Sequence, residues 1–187
     1  MTDRGLAAAR TLVSFAALIP TLSAATDDAV RVAVERPQLV VDNTVTQSPN
    51  LAGFKLSFDA RFTNQSKTPV DIPDLDKLRG GVVGIELHGA ESQQSDGSWR
   101  VVVPAGMLAW KIDTVFADGK SLGPDETAEL KGFSRPLVVF KSNLDGLPGT
   151  RATIRLYLEL TCKQRDGKVI SKTLRTDPFV LSIPPLP

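Results

Sequence analysis

The chain has 187 residues, with 22 Lys+Arg set against 21 Asp+Glu and one histidine, for a formal net charge of +1. That length suits one domain with a sizeable core, and the charge balance gives no electrostatic footing for nucleic acid or an anionic membrane as partner. The single cysteine, Cys162, excludes an intrachain disulfide, so the core must carry the stability unaided.

The first residues address the chain out of the cytoplasm. Met1 to Arg10 carries Arg4 and Arg10 against Asp3, and Thr11 to Leu22 is uncharged and mostly apolar. Ser23-Ala24-Ala25 then places small residues three and one positions before a cut after Ala25. Weak positive charge, a short apolar run and a small-residue exit make a secretory signal peptide. The run is shorter than the ~20 residues of a membrane span, and Pro20 interrupts it. There is no twin arginine, and no cysteine at the cut that could take a lipid. The expected organisation is a helical signal peptide over 1–25 and one domain over 26–187. The product is periplasmic or secreted, with no stable membrane anchor.

Beyond the leader the hydrophobic period is two almost throughout. Val30, Val32 and Val34 alternate with polar or small residues; Pro37 interrupts, and Leu39 to Val41 resumes. Phe54, Leu56, Phe58, Ala60 and Phe62 alternate with Lys55, Ser57, Asp59, Arg61 and Thr63, the cleanest strand in the chain. Asn64-Gln65-Ser66-Lys67 turns it, and Val70 and Ile72 form a short return. A small helical turn is expected over Asp74 to Leu78, with Asp74 as N-cap. Val83, Ile85 and Leu87 begin another strand. Ser95-Asp96-Gly97-Ser98 then turns into Trp99, Val101 and Val103. Met107 to Phe116 reads as one or two irregular strands. Gly123-Pro124-Asp125 leads into Thr127 to Lys131, Leu137 to Phe140 is a separate short strand, and Leu144 to Gly149 is a turn.

The longest strand follows, with Ala152, Ile154, Leu156, Leu158, Leu160 and Cys162 on one side; the last covers Lys168 to Thr176 and restarts at Phe179. The two sides of this final hairpin choose a register. A two-residue Asp166-Gly167 turn would set three core positions against polar partners. A three-residue loop over Arg165 to Gly167 instead sets Cys162 against Ile170, Leu158 against Leu174 and Tyr157 against Arg175, with Arg155 beside Asp177. Gly167 then takes a left-handed position, and the apolar pattern selects this register. The tail from Ile183 to Pro187 contains a PxxP string, but it reads as a terminus leaving the last strand, since proline lacks an N–H.

Roughly eight to ten short strands with no amphipathic helix imply an all-β fold, a two-sheet antiparallel sandwich. The order Asn64-Gln65-Ser66, Pro69-Val70, then Asp96-Gly97-Ser98-Trp99, then Leu122-Gly123-Pro124-Asp125-Glu126-Thr127 resembles bacterial extracytoplasmic immunoglobulin-like and fibronectin type III-like domains. It also looks like the bacterial intracellular proteinase inhibitor family. The resemblance runs from about Phe54 to Lys131 and implies an immunoglobulin-like sandwich and a protease-binding alternative. The chain departs from antibody-type domains in having no partner for Cys162. It departs from the inhibitor family, named for the cytoplasm, in having a leader.

Sites for chemistry are sparse, and the reading names no catalytic, cofactor-binding or metal residues. Gly119-Lys120-Ser121-Leu122-Gly123 spells G-x-S-x-G, but a nucleophile elbow needs a helix after the Ser and a downstream His, and His88 lies upstream. The string reads as a Gly-rich hairpin turn. Asp71, Asp74 and Asp76, with Glu91 or Asp96, could gather oxygens for calcium, but their spacing is that of a solvated loop. His88, Met107 and Cys162 have no partners at soft-metal spacing. Asn64-Gln65-Ser66 is a formal glycosylation sequon whose simpler role is a turn. Cys162 reads as a small core hydrophobe. The basic residues Arg151, Arg155, Lys163, Arg165, Lys168, Lys172 and Arg175 form a solvated sheet face interrupted by acids. The expectation is a non-enzymatic binding or assembly module without cofactor, whose partner is another protein. The alternative is a protease antagonist acting through the Glu91 to Ser98 loop or the Leu144 to Thr150 turn, and a hydrolase built on Ser121 ranks last.

Overall fold

The computed structural model describes residues 28–44, 49–78, 84–104 and 115–186. The leader, Val83, the stretch from Met107 through Ile112 and Pro187 lie outside the described residues. Within them the strands are β1 (Val30–Val41), β2 (Leu51–Asn64), β3 (Val70–Pro73), β4 (Ile85–Gln93) and β5 (Trp99–Val103). They continue with β6 (Ala117–Leu122), β7 (Thr127–Phe140), β8 (Arg151–Lys163), β9 (Val169–Arg175) and β10 (Phe179–Ser182). Among the described residues no α-helix occurs, only two short 3-10 turns. The strands form a smaller sheet, β1-β2-β7, and a larger one, β3-β6-β8-β4-β5 with β9 and β10 also on β8. The chain is an all-β sandwich.

The period-two pattern of β2 explains the interior. Phe54, Leu56, Phe58, Ala60 and Phe62 are all buried, facing Ile85, Leu87, Ile154, Leu156, Leu158 and Leu160 of the larger sheet. The outward positions of the smaller sheet stay wet and carry ion pairs such as Arg61 with Glu35 at 3.1 Å. Asp59 pins two irregularities, one on each neighbour of β2. On β1 the register shifts between Glu35 and Gln38, where Arg36 has φ 52° and pairs with the Asp59 carboxylate. On β7 the Gly132 N–H donates to Asp59 Oδ1 at 2.7 Å, with Gly132 at φ +67°. This bulge lets Thr127–Phe140 run as one strand where two were expected.

β8 is the centre of the larger sheet. It pairs with β4 and, through Cys162 and Lys163, with β6 on one edge, and with β9 and β10 on the other. The β6–β8 pair is parallel, a departure from the all-antiparallel expectation. The final hairpin adopts the three-residue-loop register. Cys162 faces Ile170, Leu158 faces Leu174, Tyr157 faces Arg175, and Gly167 has φ +86°. The expected Arg155–Asp177 pair does not form, because each has a nearer partner. Arg155 binds Glu91 at 2.6 Å, and Asp177 binds Arg31 of β1 at 2.7 Å. The Asp177 N–H also donates to Val32 O at 2.8 Å, stitching the two sheets together along this side.

Three local expectations are corrected. Gly119 to Leu122 is no hairpin turn but part of β6, held between β3 and β8. The 3-10 turn Leu75–Lys77 forms, yet Asp74 makes no side-chain cap; its carboxylate lies 3.1 Å from Lys77 Nζ. The tail stays attached longer than expected, since Ile183 is buried and exchanges hydrogen bonds with Gly149 and Thr150.

Candidate functional site

The residues singled out by sequence do not assemble into a reactive centre. Ser121 lies on β6 opposite Asp71, whereas His88 lies on β4 with Nδ1 3.6 Å from Glu159. Asp71 and Asp74 line one hollow with Ser121 and Asp166, but each of the acids has its own partner. Asp71 accepts from Gln164 Nε2 at 2.9 Å, Asp76 lies 3.8 Å from Lys120, and Asp96 accepts from the Ser98 N–H and hydroxyl in the β4–β5 turn. Among the described residues no three His, Cys, Asp or Glu side chains group as metal ligands.

Asn64 is 0% exposed and works as a tie. Its Nδ2 donates to Thr68 O at 2.8 Å and Leu122 O at 2.9 Å, while Oδ1 accepts from the Ser66 N–H and hydroxyl. Both amide hydrogens are committed and the side chain is enclosed, so the folded protein has no room for a glycan there. The left-handed geometry that favours Asn in turns falls instead to Asp125, at φ 57°.

Cys162 is 2% exposed, and burial, followed by the charge of Asp71, pushes its thiol up, away from the nucleophilic thiolate. Glu91 belongs to a cluster on the outer face of the larger sheet. Its Oε2 accepts from Arg155 Nε at 2.6 Å and from the Tyr157 hydroxyl at 2.9 Å, and Arg155 lies 4.1 Å over the Trp99 ring. Burial, then the hydrogen bond to Glu91, raises the Tyr157 phenol. These groups satisfy one another and read as structure. The two segments proposed as inhibitory loops are compact. Glu91–Gln93 belongs to β4, and the turn closes with Gln94 N–H to Ser98 O at 2.8 Å. Leu144 is buried in the core.

A second concavity lies on another side. Between the smaller sheet's free edge at the start of β7 and the β3–β6 side of the larger sheet runs an open cleft of about 480 Å³. Ile72, Leu122 and Leu130 form its buried floor, and Leu75 and Leu78 stand half-buried beside them. Its rim charges are matched within the chain: Lys120 with Asp76 at 3.8 Å, and Lys131 with Glu129 at 3.4 Å. Glu126 accepts from the Gly123 N–H at 2.7 Å. The cleft is a hollow of ordinary ligand-site size over buried core residues, rimmed by Asp76, Lys120, Glu126, Glu129 and Lys131. Two stretches far apart in sequence, 72–78 and 120–131, build it. Sequence reading missed it because each floor residue is, by local pattern, simply a core residue.

Among the described residues no helix is long and apolar enough to cross a membrane. No known family model matches the chain, and no curated protein matches it. Among solved structures, a Northeast Structural Genomics Consortium target, SoR45, is 12% identical, with 86% of this chain and 91% of that one covered and a TM-score of 0.34. A Bordetella pertussis protein assigned as ApaA is 16% identical, with 83% and 94% covered and a TM-score of 0.31. Neither likeness is close enough to inform fold or function.

Proposed function

We propose that this chain is an exported immunoglobulin-like binding module that engages another protein through the cleft beside β7. The observation carrying the proposal is the cleft itself, an open hollow of about 480 Å³ at the side of the sandwich whose wall includes the half-buried Leu75 and Leu78. Open concavities are where proteins take ligands. The leader-like order of residues 1–25 supports the extracytoplasmic half of the reading.

The test uses the full chain expressed in an exporting host. The secreted product should begin near Thr26, and retention of Met1 would overturn export. Leu75→Asp and Leu78→Asp, which charge the cleft wall, should abolish recovery of a partner from extracytoplasmic extract. Val180→Asp, at an exposed position of β10 outside the cleft, should leave recovery unchanged. Equal recovery by all three variants would overturn the cleft as the binding surface.

A further inference from the structure

The outer face of the smaller sheet changes character along its length. At one end it carries ion pairs, with Arg61 between Glu35 and Glu129 at 3.1 and 3.7 Å. At the other end the same face is apolar. Leu39, Val41, Leu137 and Val139 turn inward on the core, so strand alternation turns Val40, Pro136, Val138 and Phe140 outward. Val40 is 57% and Phe140 48% exposed, Pro136 is exposed, and Leu51, opposite Phe140 on β2, is half-buried. Gly53, opposite Val138, adds no side chain between them. The row beyond Val40, made of Gln38, Ser57 and Ser134, is uncharged. Single apolar side chains on a surface are ordinary, but a contiguous group on one sheet face marks an interaction surface. Pro136 withholds an N–H from the β7 edge here, so a partner meets the face and not the edge.

The charges of this face select the partner. It holds one base, the exposed Lys55, and one acid, Asp42. The Thr44 hydrogen bonds, and after them the Lys55 charge, hold the Asp42 carboxyl below the usual carboxylate range. One charge of each sign leaves no net attraction for an anionic lipid surface. It is the composition a two-fold dimer requires, because an isologous face must complement itself, residue i meeting j and j meeting i. Four rows on three strands cover roughly 400 Å², about half of the ~800 Å² that a standard interface buries per partner. Two such faces make a weak dimer that builds up with concentration.

We infer that two copies of this chain stack their smaller sheets face to face, with Val40, Val138 and Phe140 at the centre of the contact and Lys55 of each copy against the partner's Asp42. The cleft borders residues 126–131, at the other end of β7, so it stays open in both copies. Sedimentation equilibrium of the protein purified from the exporting host should show the average mass climbing toward twice the monomer's between micromolar and millimolar loading. Val40→Asp and Phe140→Asp should each weaken association tenfold or more, and Val180→Asp should leave it unchanged, with each fold checked by circular dichroism. Asp42→Lys and Lys55→Asp should each stay monomeric alone and associate when mixed, because the mixture restores opposite charges at both contacts. A monomer at millimolar loading, a dimer indifferent to Val40→Asp, or a mixture no more associated than its components would overturn the stacking. Monomers that sediment with anionic vesicles, and cease to do so with Val40→Asp, would assign the face to lipid and overturn the second copy.

Discussion

Asn64→Ala should be among the costliest single changes in this protein. The substitution removes four hydrogen bonds, but their loss is unequal. Thr68 O, 2.7 Å from the Ser66 hydroxyl, takes the proton that hydroxyl no longer gives to Asn64 Oδ1, and the Ser66 N–H is only partly buried, so water reaches it. Leu122 O, by contrast, loses a buried partner, at roughly 1–3 kcal/mol for an unpaired buried acceptor. The space left by a fully enclosed side chain adds about 1 kcal/mol more. The sum, about 3 kcal/mol, is a large share of the ~5–15 kcal/mol typical of a folded domain. Urea unfolding reads it as a lower midpoint with an unchanged slope. Asn64→Asp gives the sharper test. It keeps the acceptor for Ser66 but turns a carboxylate oxygen toward two carbonyl oxygens, an arrangement tolerated only when the carboxyl is protonated. Its folded pKa must therefore rise above the unfolded value, so the variant binds more protons when folded and its deficit should shrink as pH falls. An Ala variant within about 0.5 kcal/mol of the parent, a surface-like effect, would refute the reasoning, as would an Asp variant equally impaired at pH 7 and pH 4.

Gly167→Val should cost about 1 kcal/mol or more by the same assay, because a β-branched residue resists the φ of +86° held there; an unchanged midpoint would show that the loop re-forms in another geometry. Glu86 stands opposite Glu159 across the β4–β8 pair. Burial raises its pKa, Arg135 opposes the rise and Glu159 adds to it. A raised folded pKa means stability is greatest below that window and declines as pH rises through it. Glu86→Gln should flatten that slope and stabilise the protein at neutral pH, as thermal unfolding between pH 4 and 8 would show. Between the sheets, near Val103 and Leu144, lies a wholly apolar cavity of about 40 Å³. Val103→Ile should fill part of it and gain up to about 1 kcal/mol at ~24 cal/mol per Å³, read as a higher urea midpoint; a loss would show that the void is closed to an added methyl.

Local alternation made most of the fold legible. β2, β8 and the β8–β9 register were readable because one apolar face leaves a strand no freedom to slip. β6 was not, because Asp118-Gly119-Lys120-Ser121 has neither alternation nor β propensity. Its strand geometry is imposed from both sides, by Asp71 to Pro73 of β3 and by Cys162 and Lys163 of β8. The unity of β7 was hidden for a similar reason: the strand pattern stops at Lys131, and Gly132 after it is a bulge pinned from the neighbouring strand. Arg155 lay within reach of carboxylates on either flank of β8, and only the assembled sheet shows that Glu91 holds it. The cleft is legible at no point along the chain, since it exists only where β7, the 3-10 turn and the β3–β6 pair meet.

The position of β8 in the chain governs when the larger sheet can assemble. β4, β6, β9 and β10 all depend on it for pairing, and β3 and β5 are attached only through β6 and β4. A growing polypeptide that ends before Arg151 can make the β4–β5 hairpin and the long-range β3–β6 pair, but isolated two-stranded pairs are marginal in water. Cooperative folding must await residues 151–163, and the long-range pairings they close make that step slow. The export proposed above requires the chain to cross its membrane as an unfolded thread. An organising strand that follows β3 to β6 keeps those strands from closing the larger sheet until residues 151–163 are available.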